Sequence, residues 1–200
     1  NLGQNFAKAF NIQYLDEQNQ LQYCWTTSWG LSTRFIGAII MTHGDDQGLI
    51  MPPRLAPIQI VIIPIFHNAE EKEKVLKYTQ KVKETLANFR IKLDDRFELT
   101  PGFKFNDWEM RGVPLRIEVG PHDVVNNKVV IARRDIPGKQ GKEIVELDLL
   151  EQKVFALLDD IHKALLKRAT DFRDTHISEA STYQELKECV QNGWAFSYWC

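Results

Sequence analysis

A continuous apolar strand sets the tightest limit on how this chain can fold. Residues 58–65 read IQIVIIPI and include one polar side chain, so a strand formed here must be covered on both of its faces. A charged segment follows, AEEKEKVLKYTQKVKETLANF. Its apolar residues fall close to helical spacing, and they are Val75, Leu76, Val82, Leu86 and Phe89. A buried strand followed by an amphipathic helix is typical of α/β domains.

Further strand and helix signals continue this pattern along the chain. The strand-like segments are IKLDD (91–95), PLRIEVG (114–120) and KVVIARR (128–134), and ELDLL (146–150) precedes a helical segment, VFALLDDIHKALLKRATDF (154–172). Strands that alternate with helices predict an α/β mixed-sheet domain over residues 57–150. Residues 151–200 are then predicted to be a helical tail, in which Ser181 caps a helix that stops at Gly193.

The first 56 residues carry a different pattern, which predicts a separate domain. FNIQYL (10–15) and LQYCWTTS (21–28) read as two strands of a hairpin joined by the polar turn DEQNQ. RFIGAIIMTH (34–43) predicts a helix, which Gly44 can end by adopting a left-handed conformation. The prolines of PPRLAP (52–57) make a stiff connector, so we place the domain boundary after residue 56.

Composition narrows the class of protein. The apolar fraction is 44%, the charged fraction is 26% and the formal charge is -2, as in ordinary soluble proteins. No run is long enough to cross a bilayer, and the first residues do not resemble a secretory signal. Three widely spaced cysteines fit a reducing compartment, which predicts a cytoplasmic protein. The apolar, aromatic ending WAFSYWC leads us to expect a fragment of a longer chain.

An arginine stands where a small-residue strand, GLST, meets the predicted helix. The guanidinium of Arg34 is planar and always charged, so it can contact a phosphate or stack on a base. The start of the helix adds attraction for anions. A salt bridge or a helix cap is the alternative for a single arginine at this position.

The segment HGDDQG (43–48) offers two interpretations. Histidine and aspartate are both metal ligands, so a metal site is one of them. The other is a polar turn bracketed by glycines, and the lack of a second ligand cluster nearby favours this turn.

Residues 101–135 combine aromatic and basic side chains. The aromatic residues are Phe103, Phe105 and Trp108, and the basic residues among them are Lys104, Arg111 and Arg116. This composition is typical of surfaces that stack unpaired bases and neutralise phosphates. Glu109 and Asp123 could accept hydrogen bonds from base edges. The alternative is a loop whose aromatic side chains simply pack beneath it.

Taken in order, these segments resemble the prolyl-tRNA synthetases of the eukaryote/archaeon-like type, a family of class II aminoacyl-tRNA synthetases. TTSWGLSTRFIGAIIMTHGDDQGLIMPPRLAPIQ is similar to the third class II motif and its exit. PGFKFNDWEMRGVPLRIEVGP is similar to the anticodon-binding domain of the same family. The resemblance covers nearly all 200 residues. It implies the end of an antiparallel-sheet catalytic domain (1–56), an α/β mixed-sheet anticodon-binding domain (57–150) and the helical start of a C-terminal zinc-binding domain (151–200).

The resemblance also implies an activity and its catalytic residues. The intact protein would be a proline–tRNA ligase that activates L-proline with ATP and Mg²⁺ and passes it to tRNA(Pro). Arg34 would contact ATP, while Thr26, Ser28 and Gly30 would lie on the strand beneath the proline and adenosine pockets. We expect a cytoplasmic homodimer whose interface lies outside this chain, and a fragment that is inactive alone.

Five residues match the family's anticodon contacts, namely Phe105, Glu109, Arg116, Asp123 and Lys139. Phe105 suits stacking, Glu109 and Asp123 suit guanine donors, and the two cations suit phosphates or guanine acceptors. His122 stands where the family usually has arginine, which puts one phosphate contact in question. Cys200 would be the first of four zinc ligands.

Two other functional classes stay open at this point. A non-catalytic tRNA-binding paralogue would keep the fold and lose amino-acid activation, but it would have no physical need for Arg34 within GLSTR. A threonine or histidine synthetase shares this type of anticodon domain, and the segment KFNDWEMRGVPLR favours proline instead.

Overall fold

The computed structural model describes residues 1–198 of the chain. Its N-terminal unit, residues 1–38, is built on a short hairpin. Its elements are helix α1 (Asn5–Ala9), strands β1 (Gln13–Leu15) and β2 (Leu21–Tyr23), and the first part of helix α2 (Arg34–His43). The two strands pair antiparallel. Asp16 holds the turn between them, because its Oδ1 accepts bonds from the backbone N–H groups of Gln18 and Gln20. The hairpin and the helix are therefore confirmed.

The predicted second strand is shorter than expected. It ends at Tyr23 rather than at residue 28, and Thr26 forms only an isolated bridge with Gly3. A strand is stable only where a neighbouring strand satisfies its backbone groups. Among residues 1–198 no strand pairs with residues 27–32, so this segment has no sheet structure.

The second unit begins at Ile39 and contains a five-stranded mixed sheet. Its helices are α3 (Ala69–Thr85), α4 (Pro101–Met110), α5 (Pro121–Asn126), α6 (Leu150–Thr175) and α7 (Tyr183–Asn192). Its strands are β3 (Ile60–Pro64), β4 (Ile91–Leu93), β5 (Leu115–Val119), β6 (Lys128–Arg133), β7 (Lys142–Glu146), β8 (Ile177–Ala180) and β9 (Trp194–Ser197). The sheet order is β4-β3-β5-β6-β7; β3 runs parallel to β4 and β5, and the β5–β6 and β6–β7 pairs are antiparallel.

Strand β3 is buried along its whole length, as its composition predicts. Side chains alternate between the two faces of a strand. Ile60 and Ile62 belong to the large core that includes residues of α3 and α6, whereas Val61 and Ile63 pack with Trp108 of α4 and with Val113. Helices therefore cover both faces of the sheet, and the predicted α/β mixed-sheet class is confirmed.

Helix α4 replaces the loop that was one interpretation of residues 101–110. Thr100 caps it by accepting a bond from the backbone N–H of Phe103, and Pro101 occupies the first turn, where a missing N–H costs nothing. One face of the helix is buried through Lys104 and Trp108. The interleaved aromatic and basic residues therefore point in different directions instead of lining one surface.

The end of the second unit differs in detail from the predicted helical tail. Within ELDLL, Glu146 ends strand β7, Leu147–Leu149 form a 3₁₀ turn and Leu150 begins α6. Strand β7 has no clear apolar alternation in the sequence. The cap of α7 is Thr182 rather than Ser181, because Thr182 and Glu185 form a reciprocal capping box. Strands β8 and β9 form a separate parallel pair around α7. No helix within residues 1–198 has the length and apolarity to span a membrane.

The connector that leaves α2 is bonded to the end of α4. The backbone N–H of Leu49 donates to the carbonyl of Met110, and that of Met51 donates to the carbonyl of Gly112. Gly48 has a φ of 126°, and a Cβ there would lie 2.5 Å from the Cα of Met110. This close approach of two backbones requires glycine.

Candidate nucleic-acid interface

A cluster of charged side chains lies on the α4 side of the sheet, around Arg116 of β5. Its Nε donates to Glu118 at 3.1 Å, and its Nη1 donates to Glu109 of α4 at 2.5 Å. The guanidinium carbon lies 4.0 Å from the centre of the Phe105 ring. Because β5 alternates between faces, Arg116 and Glu118 point the same way. The structure therefore brings together three of the five predicted anticodon residues, Phe105, Glu109 and Arg116.

Lys142 of β7 completes this cluster. Its Nζ lies 2.8 Å and 3.0 Å from the two carboxylate oxygens of Glu118 and 5.6 Å from the centre of the Phe105 ring. Two cations thus face two carboxylates, and both cations lie near one aromatic ring, whose face attracts positive charge. Arg116 and Glu118 are buried, with 9% and 8% of their surface exposed. A buried charge is tolerated when it is paired in this way.

A second ionic network fixes helix α4 against the sheet. Asp94 follows β4, is 1% exposed, and accepts bonds from Arg96 and from the Trp108 indole N–H, the latter at 2.7 Å. Arg96 also donates to Asp107 of α4. Burial by itself raises the pKa of Asp94, but the bonds from Arg96 and Trp108 outweigh it and lower the pKa to about 2. Trp108 is therefore a buried anchor of α4. Of the two interpretations that the sequence left open, packing rather than base stacking applies to this side chain.

The segment HGDDQG forms a turn, which confirms the favoured interpretation. Asp45 bridges to Gly48 along the backbone, and its carboxylate accepts two bonds from the buried side chain of Arg134. The bond from Arg134 lowers the pKa of Asp45 despite its partial burial. Arg134 also donates to the carbonyl of Glu109, so the turn is joined to the end of α4. No group of three metal-ligating side chains occurs within residues 1–198.

The other two predicted anticodon residues lie apart from the cluster. Asp123 caps α5, because its Oδ2 accepts a bond from the backbone N–H of Gly120 at 2.8 Å. Lys139 is exposed on the 3₁₀ turn Gly138–Gly141, and His122 is exposed at the start of α5. Within the described part of the chain, no hydrogen bond or ion pair joins Asp123 or Lys139 to Arg116.

The residues predicted to contact ATP and proline lie in the N-terminal unit. Thr26 donates from its Oγ1 to the carbonyl of Gly3 at 3.1 Å, while Ser28, Gly30 and Arg34 are exposed. Arg34 begins helix α2 as expected, and its side chain has no hydrogen-bond or salt-bridge partner among residues 1–198. The salt bridge that was the alternative for Arg34 is therefore absent from this part of the chain.

Two members of the cluster were not singled out from the sequence as site residues. Glu118 could have been found with Arg116, because residues two apart on a strand share a face. Lys142 lies 24 residues beyond Glu118, and only the β5-β6-β7 order brings the two together. The remaining expected residue, Cys200, lies outside the described residues.

Comparison with known proteins finds relatives that match this chain from end to end. A proline–tRNA ligase of Roseiflexus sp. (strain RS-1) is 54% identical over 200 residues, which is all of this chain and 42% of that protein. The chain is thus similar along its whole length to proline–tRNA ligases. The chloroplastic/mitochondrial proline–tRNA ligase of Arabidopsis thaliana is 52% identical over 205 residues. The chain spans less than half the length of these relatives.

The structural comparison agrees with the sequence comparison. The crystal structure of prolyl-tRNA synthetase from Cryptosporidium parvum, complexed with L-proline and AMP, superposes with a TM-score of 0.89 at 39% identity. It covers all of this chain and 43% of that synthetase. Residues 59–157 match a family model described as an anticodon-binding domain. The charged cluster around Arg116 therefore lies within the segment that matches an anticodon-binding domain.

Proposed function

We propose that this chain is the part of a proline–tRNA ligase that carries the third class II motif and the anticodon-binding domain. The intact enzyme would activate L-proline with ATP and transfer it to tRNA(Pro). The observation that carries this proposal is the similarity of the whole chain to proline–tRNA ligases, at 54% identity. The proposed division is 1–56 for the end of the catalytic domain, 57–150 for the anticodon-binding domain and 151–200 for the start of a C-terminal domain.

Anticodon recognition is assigned to Phe105, Glu109, Arg116, Asp123 and Lys139. Phe105 would stack on a base, and the carboxylate of Glu109 would accept hydrogen bonds from guanine. Arg116 is held by Glu109 and Glu118, so it also fixes the direction of the Glu109 carboxylate. The exposed side chain of Lys139 suits a phosphate. His122 is exposed and stands where the family usually has arginine, whose permanent charge and five donors suit a phosphate better.

Arg34 is assigned to ATP, with Thr26, Ser28 and Gly30 beneath the adenosine and proline pockets. The exposed guanidinium of Arg34 fits this role, because no side chain among residues 1–198 forms a hydrogen bond or an ion pair with it. A Cβ on Gly30 would meet no described atom within 4 Å, so the backbone there is open to a ligand. The related C. parvum synthetase was crystallised with L-proline and AMP. Activation would then rest on positioning and charge stabilisation, without a covalent nucleophile.

Magnesium would neutralise the ATP phosphates in this chemistry. Residues 25–38, WTTSWGLSTRFIGA, contain no carboxylate, so this segment contributes no acidic ligand to the ion. We therefore assign Mg²⁺ to the phosphates themselves and to other parts of the enzyme. Zinc would have Cys200 as one ligand, with its other ligands outside this chain. Metal analysis of the full-length protein and of its Cys200→Ser variant tests that assignment.

The intact protein is further proposed to be a cytoplasmic homodimer of the eukaryote/archaeon-like type. The two described cysteines, Cys24 and Cys189, are free, which fits a reducing compartment. Two segments resemble that type, namely the third class II motif and PGFKFNDWEMRGVPLRIEVGP. Sedimentation of the full-length protein tests the dimer.

The experiment that tests the function is ATP–pyrophosphate exchange by the full-length protein with each of the twenty amino acids. Exchange with proline alone is the expected result. No exchange with any amino acid, while tRNA binding persists, would instead favour a non-catalytic tRNA-binding paralogue. Exchange with threonine or histidine would reassign the enzyme within its class.

A further inference from the structure

Glu118 and Lys142 are the two members of the charged cluster to which no contact with the anticodon has been assigned. Glu118 is buried on the strand that carries Arg116, and its carboxylate binds two cations at once. It accepts a bond from Nε of Arg116 at 3.1 Å, and its two oxygens lie 2.8 Å and 3.0 Å from Nζ of Lys142. One buried carboxylate therefore sets the position of both cations relative to Phe105.

The ammonium group of Lys142 has bonding capacity left over. A lysine ammonium carries three N–H donors, and the two oxygens of Glu118 occupy at most two of them. The side chain is 38% exposed, and no other hydrogen-bond or salt-bridge partner for it occurs among residues 1–198. The third donor is therefore free to bind an anion that approaches from solvent.

Arg116 is less accessible than Lys142 to an anion from solvent. Its side chain is 10% exposed, its donors bind Glu109 and Glu118, and its guanidinium carbon lies 4.0 Å from the Phe105 ring centre. Of the two cations in the cluster, Lys142 is the more open to an incoming charged group. Its Nζ also lies 5.6 Å from the centre of the same ring.

We propose that Lys142 binds a phosphate of the tRNA anticodon loop, and that Glu118 is the positioning residue that holds it beside Phe105. A base stacked on Phe105 brings its own backbone phosphate with it, and a fixed cation beside the ring meets that phosphate without reordering a flexible side chain. Phosphate contacts set register and carry no sequence information. This inference rests on the proposed tRNA-binding function.

The test is tRNA binding by the full-length protein over a series of salt concentrations. For Lys142→Met, the slope of log affinity against log salt should fall by about one, as expected for the loss of one phosphate contact. The affinity loss should be equal for tRNA(Pro) and for a transcript with altered anticodon guanines. Lys142→Arg should keep the slope, which separates a lost charge from a folding defect.

Lys153→Met is the matched control. Lys153 is also 38% exposed and also forms an ion pair, with Glu143, but it lies on α6 away from Phe105. Its variant should keep the wild-type slope. A Lys142→Met protein with the wild-type slope, or with the same slope as Lys142→Arg, would overturn the proposed phosphate contact.

A double-mutant cycle tests the part assigned to Glu118. If Glu118 acts by holding Lys142, then Lys142→Met should cost less affinity in a Glu118→Gln background than in the wild type. Additive losses would show that Glu118 does not act through Lys142. A wild-type protein that binds no tRNA at all would refute the proposed function itself, which is a separate outcome from a failure confined to these variants.

Discussion

The most quantitative prediction concerns Asp94, the buried carboxylate that anchors helix α4. Its pKa is about 2, against 3.8 for an ordinary aspartate, because the bonds from Arg96 and Trp108 outweigh the opposing effect of its burial. At about 1.36 kcal/mol per pKa unit, the charged form of Asp94 stabilises the folded state by about 2 kcal/mol near neutral pH. Asp94→Asn should remove this contribution and leave the shape of the site almost unchanged.

The contribution of Asp94 to the free energy of unfolding depends on pH. A group whose pKa is lowered on folding stabilises the protein above its unfolded pKa, and the contribution is lost as the pH falls through the folded pKa. For Asp94 the effect is therefore complete above about pH 5 and falls to about half by pH 3. Wild type and Asp94→Asn should differ most at neutral pH and converge as acid is added.

The assay is urea denaturation of this chain at several pH values between 7 and 3, followed by far-ultraviolet circular dichroism. Asp95→Asn is the matched control, since the neighbouring Asp95 side chain is exposed. That variant should follow the wild-type curve throughout. An Asp94→Asn protein as stable as wild type at pH 7, or a difference that does not shrink with acid, would refute the reasoning.

Three further predictions concern catalysis, recognition and the connector. Arg34→Ala in the full-length enzyme should abolish proline-dependent pyrophosphate exchange and spare tRNA binding. The control Arg54→Ala, which changes another exposed arginine, should keep the exchange. Normal exchange by Arg34→Ala would contradict the ATP role. Arg116→Ala should weaken binding of tRNA(Pro) by about 1–3 kcal/mol relative to a transcript with altered anticodon guanines, and equal losses would identify a phosphate contact instead. Gly48→Ala should cost this chain about 1–3 kcal/mol in urea denaturation, because its φ is 126° and the new Cβ would lie 2.5 Å from Met110. In the control Gly102→Ala, the added Cβ would lie within 4 Å of no neighbouring atom, and the residue is in helix α4. This variant should therefore leave the free energy of unfolding unchanged or raise it.

The sequence predicted those features of the site that depend on local spacing. Arg34 begins a helix as predicted, because the signals that start a helix act on their immediate neighbours. The alternation within LRIEV already places Arg116 and Glu118 on one face. The resemblance then indicated Phe105, Glu109 and Arg116, which the structure brings into contact.

Other features were decided by which strands lie side by side. The segment after Tyr23 has strand-like residues but forms no strand, because no neighbouring strand among residues 1–198 satisfies its backbone groups. Trp108 was one of the aromatic residues that could have stacked on a base. It is instead buried, and its indole N–H donates to Asp94. Lys142 joins the site through its place on β7.

The sequence by itself therefore determined the class of fold, and its resemblance indicated the chemical types of the proposed site residues. An unbroken apolar strand must be covered on both faces wherever it lies, and this requirement is local. The tertiary structure decided which charges face one another. Arg134 meets Asp45 across 89 residues and Lys142 meets Glu118 across 24, and such partners are selected by strand order and helix packing rather than by spacing along the chain.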